Sequence, residues 1–195
     1  MYITGHSGAG KSTLLSLILR RITPTEGTVY LFGQDARKIR EAKLPFLRRQ
    51  IGMVFQNHRL LPNMSAQENL SFVLRATGHK GDLDQRSTIA LRQVGLAHKR
   101  KAYPIELSLG EQQRVAIARA IVTNPHILLC DEPTGNLDPD TSWEVLELLN
   151  DLHMRGTTII VATHSKELVD SLKHRTIVLR AGEVMRDDKA GGYSL

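Results

Sequence analysis

The sequence predicts an α/β fold with a mainly parallel sheet and an inserted helical subdomain, and three observations support this prediction. Short apolar or β-branched runs alternate with amphipathic helical segments along most of the 195 residues. A glycine-rich loop joins the first short run to the first helix, and residues from about 62 to 124 contain helical segments without an obvious strand. Strands that alternate with helices usually pair in parallel, because each connecting helix returns the chain to the same end of the sheet.

The helices are predicted from apolar residues at helical spacing and from their capping residues. Ser65 and Ser108 each begin a Ser-x-x-Glu capping box, which satisfies free N–H groups at the start of a helix. Gly95 and Pro125 mark the ends of two helices. The predicted helices span residues 11–21, 65–77, 83–94, 108–124, 140–154 and 166–172.

The strands are predicted from short apolar or β-branched runs that are bounded by turn residues. They span residues 28–32, 51–55, 126–130 and 157–163, and a closing hairpin joins 176–180 to 183–186 through Ala181 and Gly182. Tyr2 lies on a further short strand that leads into the glycine-rich loop. This order of elements and the chain length predict one domain over residues 1–195.

The composition excludes several other classes of protein. Hydrophobic residues make up 41% and charged residues 24% of the chain, which excludes a disordered tail or a collagen-like repeat. Cys130 is the single cysteine, so an internal disulfide is excluded and a reducing compartment is expected. No apolar run approaches the roughly 18 residues of a membrane span, so a membrane role is expected to depend on a partner. The formal charge of +6 favours an anionic partner.

The glycine-rich loop matches the G-x-x-x-x-G-K-[ST] pattern of phosphate-binding loops. Its glycines let backbone N–H groups surround phosphate oxygens at the start of a helix, where the helix dipole also favours negative charge. Lys11 is expected to contact the β- and γ-phosphates of a nucleotide, and Ser12 is expected to hold Mg²⁺. The predicted phosphate-binding residues are Gly5, His6, Ser7, Gly8, Ala9, Gly10, Lys11, Ser12 and Thr13.

Two acids follow the apolar strand 126–130. Asp131 and Glu132 are expected at the carboxyl end of this strand, the edge where parallel sheets bind ligands. Asp131 is a candidate to hold Mg²⁺ through the water shell of the ion, and Glu132 is a candidate base for an attacking water. Solvated acids are common at strand ends, so the pair by itself is weak evidence for a functional site. Together with the phosphate loop it becomes strong evidence.

Four further motifs occur in a fixed order along the chain. Gln56 follows the strand 51–55, the sequence LSLGEQQ occupies 107–113, NLD occupies 136–138, and His164 follows the strand 157–163. With the loop and the acids, these motifs resemble the nucleotide-binding domain of ABC-type ATPases over residues 3–186. The stretches 4–13, 46–53 and 131–138 resemble the FtsE family of cell-division ATP-binding proteins, although the last stretch is shared with lipoprotein-release and macrolide-type exporters.

The resemblance implies a P-loop NTPase core of the ABC ATPase type that binds ATP and Mg²⁺ and hydrolyses ATP. It also implies a head-to-tail homodimer in the ATP-bound state, in which each site combines the loop and acids of one chain with the signature of the other. The backbone N–H groups after Ser108 suit such an anion site, because they lie at the start of a predicted helix. The implied signature residues are Ser108, Leu109, Gly110 and Glu111. The other implied roles are Mg²⁺ and water sensing for Gln56, coupling of the two sites for Asp138, and orientation of water and γ-phosphate for His164.

The resemblance further implies an FtsX-like integral membrane subunit as partner. The chain would then be peripheral, at the cytoplasmic side of the bacterial inner membrane, with no direct contact to nucleic acid. The sequence leaves open whether the basic stretches 37–40 and 48–49 face lipid headgroups, the partner or solvent. It also leaves open whether a docking surface or the core contains the apolar residues Phe46, Leu60, Leu61 and Pro62. Two other functions stay open: the ATPase of a lipoprotein-release or macrolide-type exporter, and a nucleotide-dependent binding module with little hydrolysis.

Two departures from the family pattern lead to expectations of their own. Leu109 stands where the family usually has glycine, so weak or partner-dependent hydrolysis is expected. Only four residues precede Gly5. The N-terminal antiparallel strands of the family, and the aromatic residue that stacks on adenine, are therefore expected to be largely absent. A shortened chain, a different start and a compensating variant all fit this sequence.

Overall fold

The main sheet has six strands in the order β4–β5–β6–β1–β7–β8. In the computed structural model, which describes residues 1–189, all neighbouring strands pair in parallel except β7 and β8. The strands are β1 (Tyr2–Thr4), β4 (Ile51–Val54), β5 (Ile127–Asp131), β6 (Thr158–Thr163), β7 (Thr176–Arg180) and β8 (Glu183–Asp188). A separate two-stranded hairpin is formed by β2 (Tyr30–Leu31) and β3 (Gln34–Asp35).

Seven helices connect these strands within the described residues. They are α1 (Lys11–Ile18), α2 (Leu44–Arg49), α3 (Ala66–Ala76), α4 (Leu83–Gln93), α5 (Leu109–Ile121), α6 (Pro139–Met154) and α7 (Lys166–Leu172). Four short 3₁₀ turns add Ala36–Lys38, Glu41–Lys43, Ala97–Lys99 and Pro104–Glu106. None of the helices in residues 1–189 is both long and apolar enough to span a bilayer.

The sheet is buried on both faces because successive side chains of a strand point to opposite sides. Leu128 and Cys130 of β5 pack in one hydrophobic cluster with α3 to α6. Leu129, between them, packs in a second cluster with Leu15 of α1. A layer of helices therefore covers each face, and the mainly parallel α/β fold predicted from the sequence is confirmed.

The parallel pairing brings four loops to one edge of the sheet. β6 lies between β1 and β5, and β5 also pairs with β4. The residues that follow β1, β4, β5 and β6 therefore all leave from the same carboxyl edge. This edge is where open α/β sheets bind their ligands.

The stretch 62–124 contains α3, α4 and α5. Ser71 and Ser87 hydrogen-bond between α3 and α4 at 3.0 Å, and Arg86 of α4 donates to the Val122 carbonyl at 2.9 Å. α5 also packs on the sheet, since a Cβ added at Gly52 of β4 would lie 2.5 Å from the Ala120 carbonyl oxygen. α5 thus contacts both the other helices and the sheet, and the subdomain boundaries at about 62 and 124 stay a prediction.

Several predicted elements differ from those in the structure. The first helix ends at Ile18, before Arg20 takes a left-handed backbone conformation. The strand predicted at 28–32 is only Tyr30–Leu31, because Phe32 and Gly33 both have positive φ and form a two-residue hairpin turn. β3 and α2 were not predicted, since two and six residues are too few to show a period. The closing hairpin continues to Asp188 rather than ending at 186.

Candidate nucleotide-binding site

A cavity of about 500 Å³ opens at the carboxyl edge of the sheet. This volume lies within the usual range for small-molecule sites, roughly 300–1,000 Å³. Its lining consists of His6, Ser7, Gly8, Ala9, Gly10, Lys11, Ser12, Thr13, Gln56, Asp131, Glu132 and His164. Every one of these residues is a site residue predicted from the sequence, and they come from the ends of four different strands.

The loop between β1 and α1 requires glycine for two different reasons. Gly5 has φ +149°, and a Cβ there would lie 2.3 Å from the Leu179 carbonyl oxygen. Gly5 therefore lies against β7, beneath the loop rather than in the cavity lining. Gly10 has φ +103° and precedes α1 without any side-chain cap. The first N–H groups of α1 lack intrahelical partners, so they face the cavity as an anion site.

Lys11 is buried and lies between the loop and the acids. Its Nζ donates to the Gly5 carbonyl at 2.7 Å and to the His6 carbonyl at 3.2 Å. It also lies 3.7 Å from Glu132 Oε1. The ammonium group is thus held at the cavity wall, where it can bind the oxygens of a polyphosphate.

Glu132 and His164 form a hydrogen-bonded pair. His164 Nδ1 lies 2.8 Å from Glu132 Oε1, and the His164 N–H donates to Oε2 at 3.3 Å. Glu132 has a left-handed backbone, φ +47°, and its N–H donates to the Ala162 carbonyl at 2.8 Å. Neighbouring strands β5 and β6 thus present the two side chains to each other. The motifs predict a role for each residue, but they do not predict this contact between the two side chains.

The donor set beside the loop fits a magnesium ion. Ser12 Oγ donates to Asp131 Oδ1 at 3.2 Å. Adjacent ligands of an octahedral Mg²⁺ lie about 2.9 Å apart when each bond is about 2.05 Å, so these two oxygens suit one ion. Residues 1–189 contain no cluster of three or more His, Cys, Asp or Glu side chains around a common point. A hydroxyl and one carboxylate nevertheless suffice where substrate phosphates complete the shell.

The signature residues lie at the start of α5. Within the described chain, none of Ser108, Leu109, Gly110 and Glu111 is part of the cavity lining. The capping box predicted at Ser108 is confirmed: its N–H donates to Glu111 Oε2 at 2.9 Å, and the Glu111 N–H donates to Ser108 Oγ at 3.2 Å. The bond from Ser108, with help from Lys99, holds the pKa of Glu111 below its usual range.

Two of the signature residues, Leu109 and Gly110, have surroundings that the sequence did not reveal. Leu109 is the first residue of α5 and its side chain is 55% exposed, so it keeps its N–H at the helix end without crowding the chain itself. Gly110 packs on α6, because a Cβ there would lie 2.3 Å from Thr141 Cγ2. The close packing on α6 therefore explains a glycine at position 110 by itself, and the role of Gly110 in an anion site stays a prediction.

Asp138 caps α6. Its carboxylate accepts the Thr141 N–H at 3.0 Å, and hydrogen bonds from Thr141 hold the pKa of Asp138 below its usual range. This cap explains an aspartate at the position without any reference to nucleotide. The coupling role implied for Asp138 stays a prediction.

Comparison with known proteins agrees with the fold and the cavity. The model of the ABC transporter family matches residues 1–135. The chain is 46% identical to the cell division ATP-binding protein FtsE of Bacillus subtilis (strain 168), over 99% of this chain and 85% of that protein. It is 45% identical to FtsE of Escherichia coli (strain K12), over 94% of this chain and 83% of that protein.

Solved structures give the same result. The dimeric ATP-binding cassette MJ0796 in a post-hydrolysis state, bound to ADP and Pi, has a TM-score of 0.85 and is 37% identical, over 98% of this chain and 85% of that one. CbiO1 from Clostridium perfringens, part of the ABC transporter complex cbiONQ, has a TM-score of 0.88 and is 31% identical, over 97% of this chain and 76% of that one.

The fold, the phosphate loop and the acidic strand end define an ABC-type ATPase, and the chain belongs to the ABC transporter ATP-binding family. It binds nucleotide and hydrolyses ATP. Within this family the chain belongs to the FtsE group of cell division ATP-binding proteins. The fold class, the family and the enzyme class that the sequence predicted are therefore confirmed.

Proposed function

We propose that the chain is the Mg-ATP-dependent motor of an FtsEX-like complex, in which ATP-driven dimerisation acts on a membrane subunit during bacterial cell division. The observation that carries this proposal is the convergence of the phosphate loop, the Ser12–Asp131 pair and the Glu132–His164 pair around one cavity. The similarity to FtsE proteins favours an FtsX-like membrane subunit as the partner over the membrane subunit of an exporter.

In this proposal, the loop and Lys11 bind the phosphates. Lys11 Nζ leaves the Gly5 and His6 carbonyls, which hold it at 2.7 and 3.2 Å, and neutralises the β- and γ-phosphates instead. Ser12, Asp131 and Gln56 would hold the ion, and bound Mg²⁺ would supply charge neutralisation at the phosphate oxygens. Once nucleotide has bound, these groups are in place before the chemical step, so they stabilise developing negative charge at little cost in reorganisation.

Glu132 is the proposed base for water. Its carboxylate is largely buried at 11% exposure and is oriented by both the ring and the N–H of His164. Oε2 makes the longer of the two bonds, 3.3 Å, and is the oxygen that accepts the proton from an attacking water. His164 Nδ1 is occupied by Glu132, so Nε2 is the ring nitrogen that remains for the γ-phosphate.

The proposed active state is a head-to-tail homodimer. The signature residues lie outside the cavity of their own chain. They form the capped start of α5, and the first N–H groups of this helix suit a phosphate. Similar ABC cassettes have been solved as dimers. A second copy would bring its own α5 start to the γ-phosphate and complete each site.

A groove of about 360 Å³ is the proposed docking surface for an FtsX-like integral membrane subunit. It lies between β4 and the helices α3 and α5, and within residues 1–189 no acidic side chain lines it. Its lining combines cations and apolar groups, including Arg49, Arg59, Phe55, Leu61 and Phe72. This chemistry fits an amphipathic cytoplasmic segment with acidic residues. The chain would thereby be peripheral at the cytoplasmic side of the inner membrane.

The sequence left some apolar residues between a docking surface and the core. In the structure these residues lie in different places. Leu61 lines the groove, and Leu60 packs against the main hydrophobic cluster. Phe46 is 60% exposed, and Arg49 of the groove lies over its ring at 4.8 Å. Phe46 therefore extends the groove surface, whereas Leu60 belongs to the core.

The test is a Mg-ATP titration with turnover measured on the same samples. Lys11→Ala should weaken nucleotide binding, whereas Lys38→Ala, on an exposed 3₁₀ turn, should bind like the wild type. Glu132→Gln should bind ATP, lose turnover and elute at twice the monomer mass with saturating ATP. Glu183→Gln, on the closing hairpin, serves as its control. Unchanged affinity in Lys11→Ala, or a Glu132→Gln protein that stays monomeric, would contradict the proposal.

A further inference from the structure

Arg119 is a half-buried cation on α5 that binds two backbone carbonyls. Its Nη2 donates to the His58 carbonyl at 2.6 Å, and its Nη1 donates to the adjacent Arg59 carbonyl at 2.5 Å. Burial, and then the charge of Arg59, lower the pKa of Arg119. No carboxylate in the described chain forms an ion pair with it. Two consecutive carbonyls thus accept the hydrogen bonds of the guanidinium. The guanidinium in turn holds these two carbonyls in place.

Those two carbonyls belong to the irregular segment that follows Gln56. On the other side of Gln56, the Phe55 ring is contacted by two guanidinium groups, that of Arg21 at 5.1 Å and that of Arg59 at 4.1 Å from the ring centre. Arg59 itself has a left-handed backbone, φ +53°. Gln56 is exposed to the cavity and lies between these two anchors. Its position therefore depends on where residues 55 and 58–59 are held.

α5 connects this anchor to two other functional surfaces. Arg119 follows Leu109 by ten residues, which is about 15 Å along a helix. It also lines the groove beside Arg59. A shift of α5 relative to the sheet would therefore move the carbonyls of residues 58 and 59.

We propose that Arg119 is a positioning residue that sets the place of Gln56 at the cavity by holding the His58 and Arg59 carbonyls. Arg119 is not part of the lining of the nucleotide cavity, and in this proposal it acts on the reaction only through the backbone next to Gln56. The proposal rests on the Mg²⁺ and water-sensing role proposed for Gln56, and it adds the group that controls this role. A lysine at position 119 keeps the charge but cannot bind both carbonyls with one fixed fork.

The experiment compares Arg119→Lys with Arg86→Lys in the full chain. Arg86 is the matched control, because it also donates from a helix to one carbonyl, that of Val122, but does not contact residues 55–59. Arg119→Lys should lower kcat at least tenfold, leave KM for ATP within twofold and raise the Mg²⁺ concentration for half-maximal turnover. Arg86→Lys should change none of these. Equal Tm values for the two variants would show that folding is not the cause, and Arg119→Gln replaces Arg119→Lys if the latter unfolds.

A double variant decides whether Arg119 acts through Gln56. Gln56→Ala should lower kcat by itself, and Arg119→Lys combined with Gln56→Ala should be no slower than Gln56→Ala alone. The proposal would be overturned if Arg119→Lys lowered kcat by the same factor in the Gln56→Ala protein as in the wild type. Wild-type turnover in Gln56→Ala would overturn it as well, and would leave the Lys11 and Glu132 results to judge the nucleotide site separately.

Discussion

Gly110→Ala tests the close contact between α5 and α6. The added Cβ would lie 2.3 Å from Thr141 Cγ2, against 3.4–4 Å for ordinary van der Waals contact. Overpacking of this kind costs about 1–3 kcal/mol. Alanine regains about 0.5–1 kcal/mol over glycine within a helix. The middle of each range gives an expected net loss of about 1.3 kcal/mol, or a Tm lower by roughly 3–5 °C for a domain of this size.

Thr141→Ser provides the rescue. Serine removes the Cγ2 that the new Cβ would meet, and it keeps both the hydroxyl and the N–H that Asp138 accepts. Urea unfolding of the wild type, both single variants and the double variant gives the coupling energy. The double variant should be more stable than the sum of the two single changes predicts by about 1–3 kcal/mol, which is the overpacking cost that it removes.

Two results would refute this reasoning. Additive single effects would show that Thr141 is not what the Cβ meets, and a Gly110→Ala protein as stable as the wild type would show that α5 and α6 do not pack this closely. The double variant also separates packing from anion binding, because it keeps the backbone N–H of residue 110. Recovery of ATP turnover in the double variant would assign any loss in Gly110→Ala to packing.

Four further predictions concern other sites. Leu109→Gly should raise ATP turnover, because it restores the residue usual in the family; unchanged turnover would count against an effect of Leu109. Gly5→Ala should lower Tm and abolish nucleotide binding, since the new Cβ would lie 2.3 Å from the Leu179 carbonyl oxygen; wild-type binding would contradict this. Burial raises the pKa of the Cys130 thiol, so thiol reagents should label it only as fast as the chain unfolds. Burial, and then the nearby amino terminus and His153, lower the pKa of His174. The unfolded state therefore binds more protons, and stability should fall as pH drops below about 6.5. His174→Gln should flatten this dependence in urea midpoints between about pH 7 and 5.

The cavity lining could be predicted from the sequence because its motifs are short and each motif performs a local task. The phosphate loop needs glycines, a lysine and a hydroxyl within eight residues, and a helix directly after them. The capping boxes at Ser65 and Ser108 are equally local, since the serine and the glutamate are three residues apart. The parallel sheet then brings the ends of separate strands to one edge.

Contacts between distant segments could not be predicted in the same way. Glu132 and His164 meet because β5 and β6 pair in the register that places Asp131 opposite Ala162. Arg119 reaches residues 58–59 across about 60 positions of the chain. Nothing in the local sequence around Arg119 marks this contact, because most arginines on a helix are simply exposed to solvent.

The sequence by itself determined the phosphate loop, the capped helices, the acidic strand end and the family. Each of these depends on neighbours within a few residues, so local propensity and spacing are enough. Only the tertiary structure decided that Gly110 packs against α6, that Glu132 pairs with His164, and that Arg119 holds the backbone beside Gln56. These contacts depend on strand register and on the distance between helices, which are fixed when the whole core packs and not before.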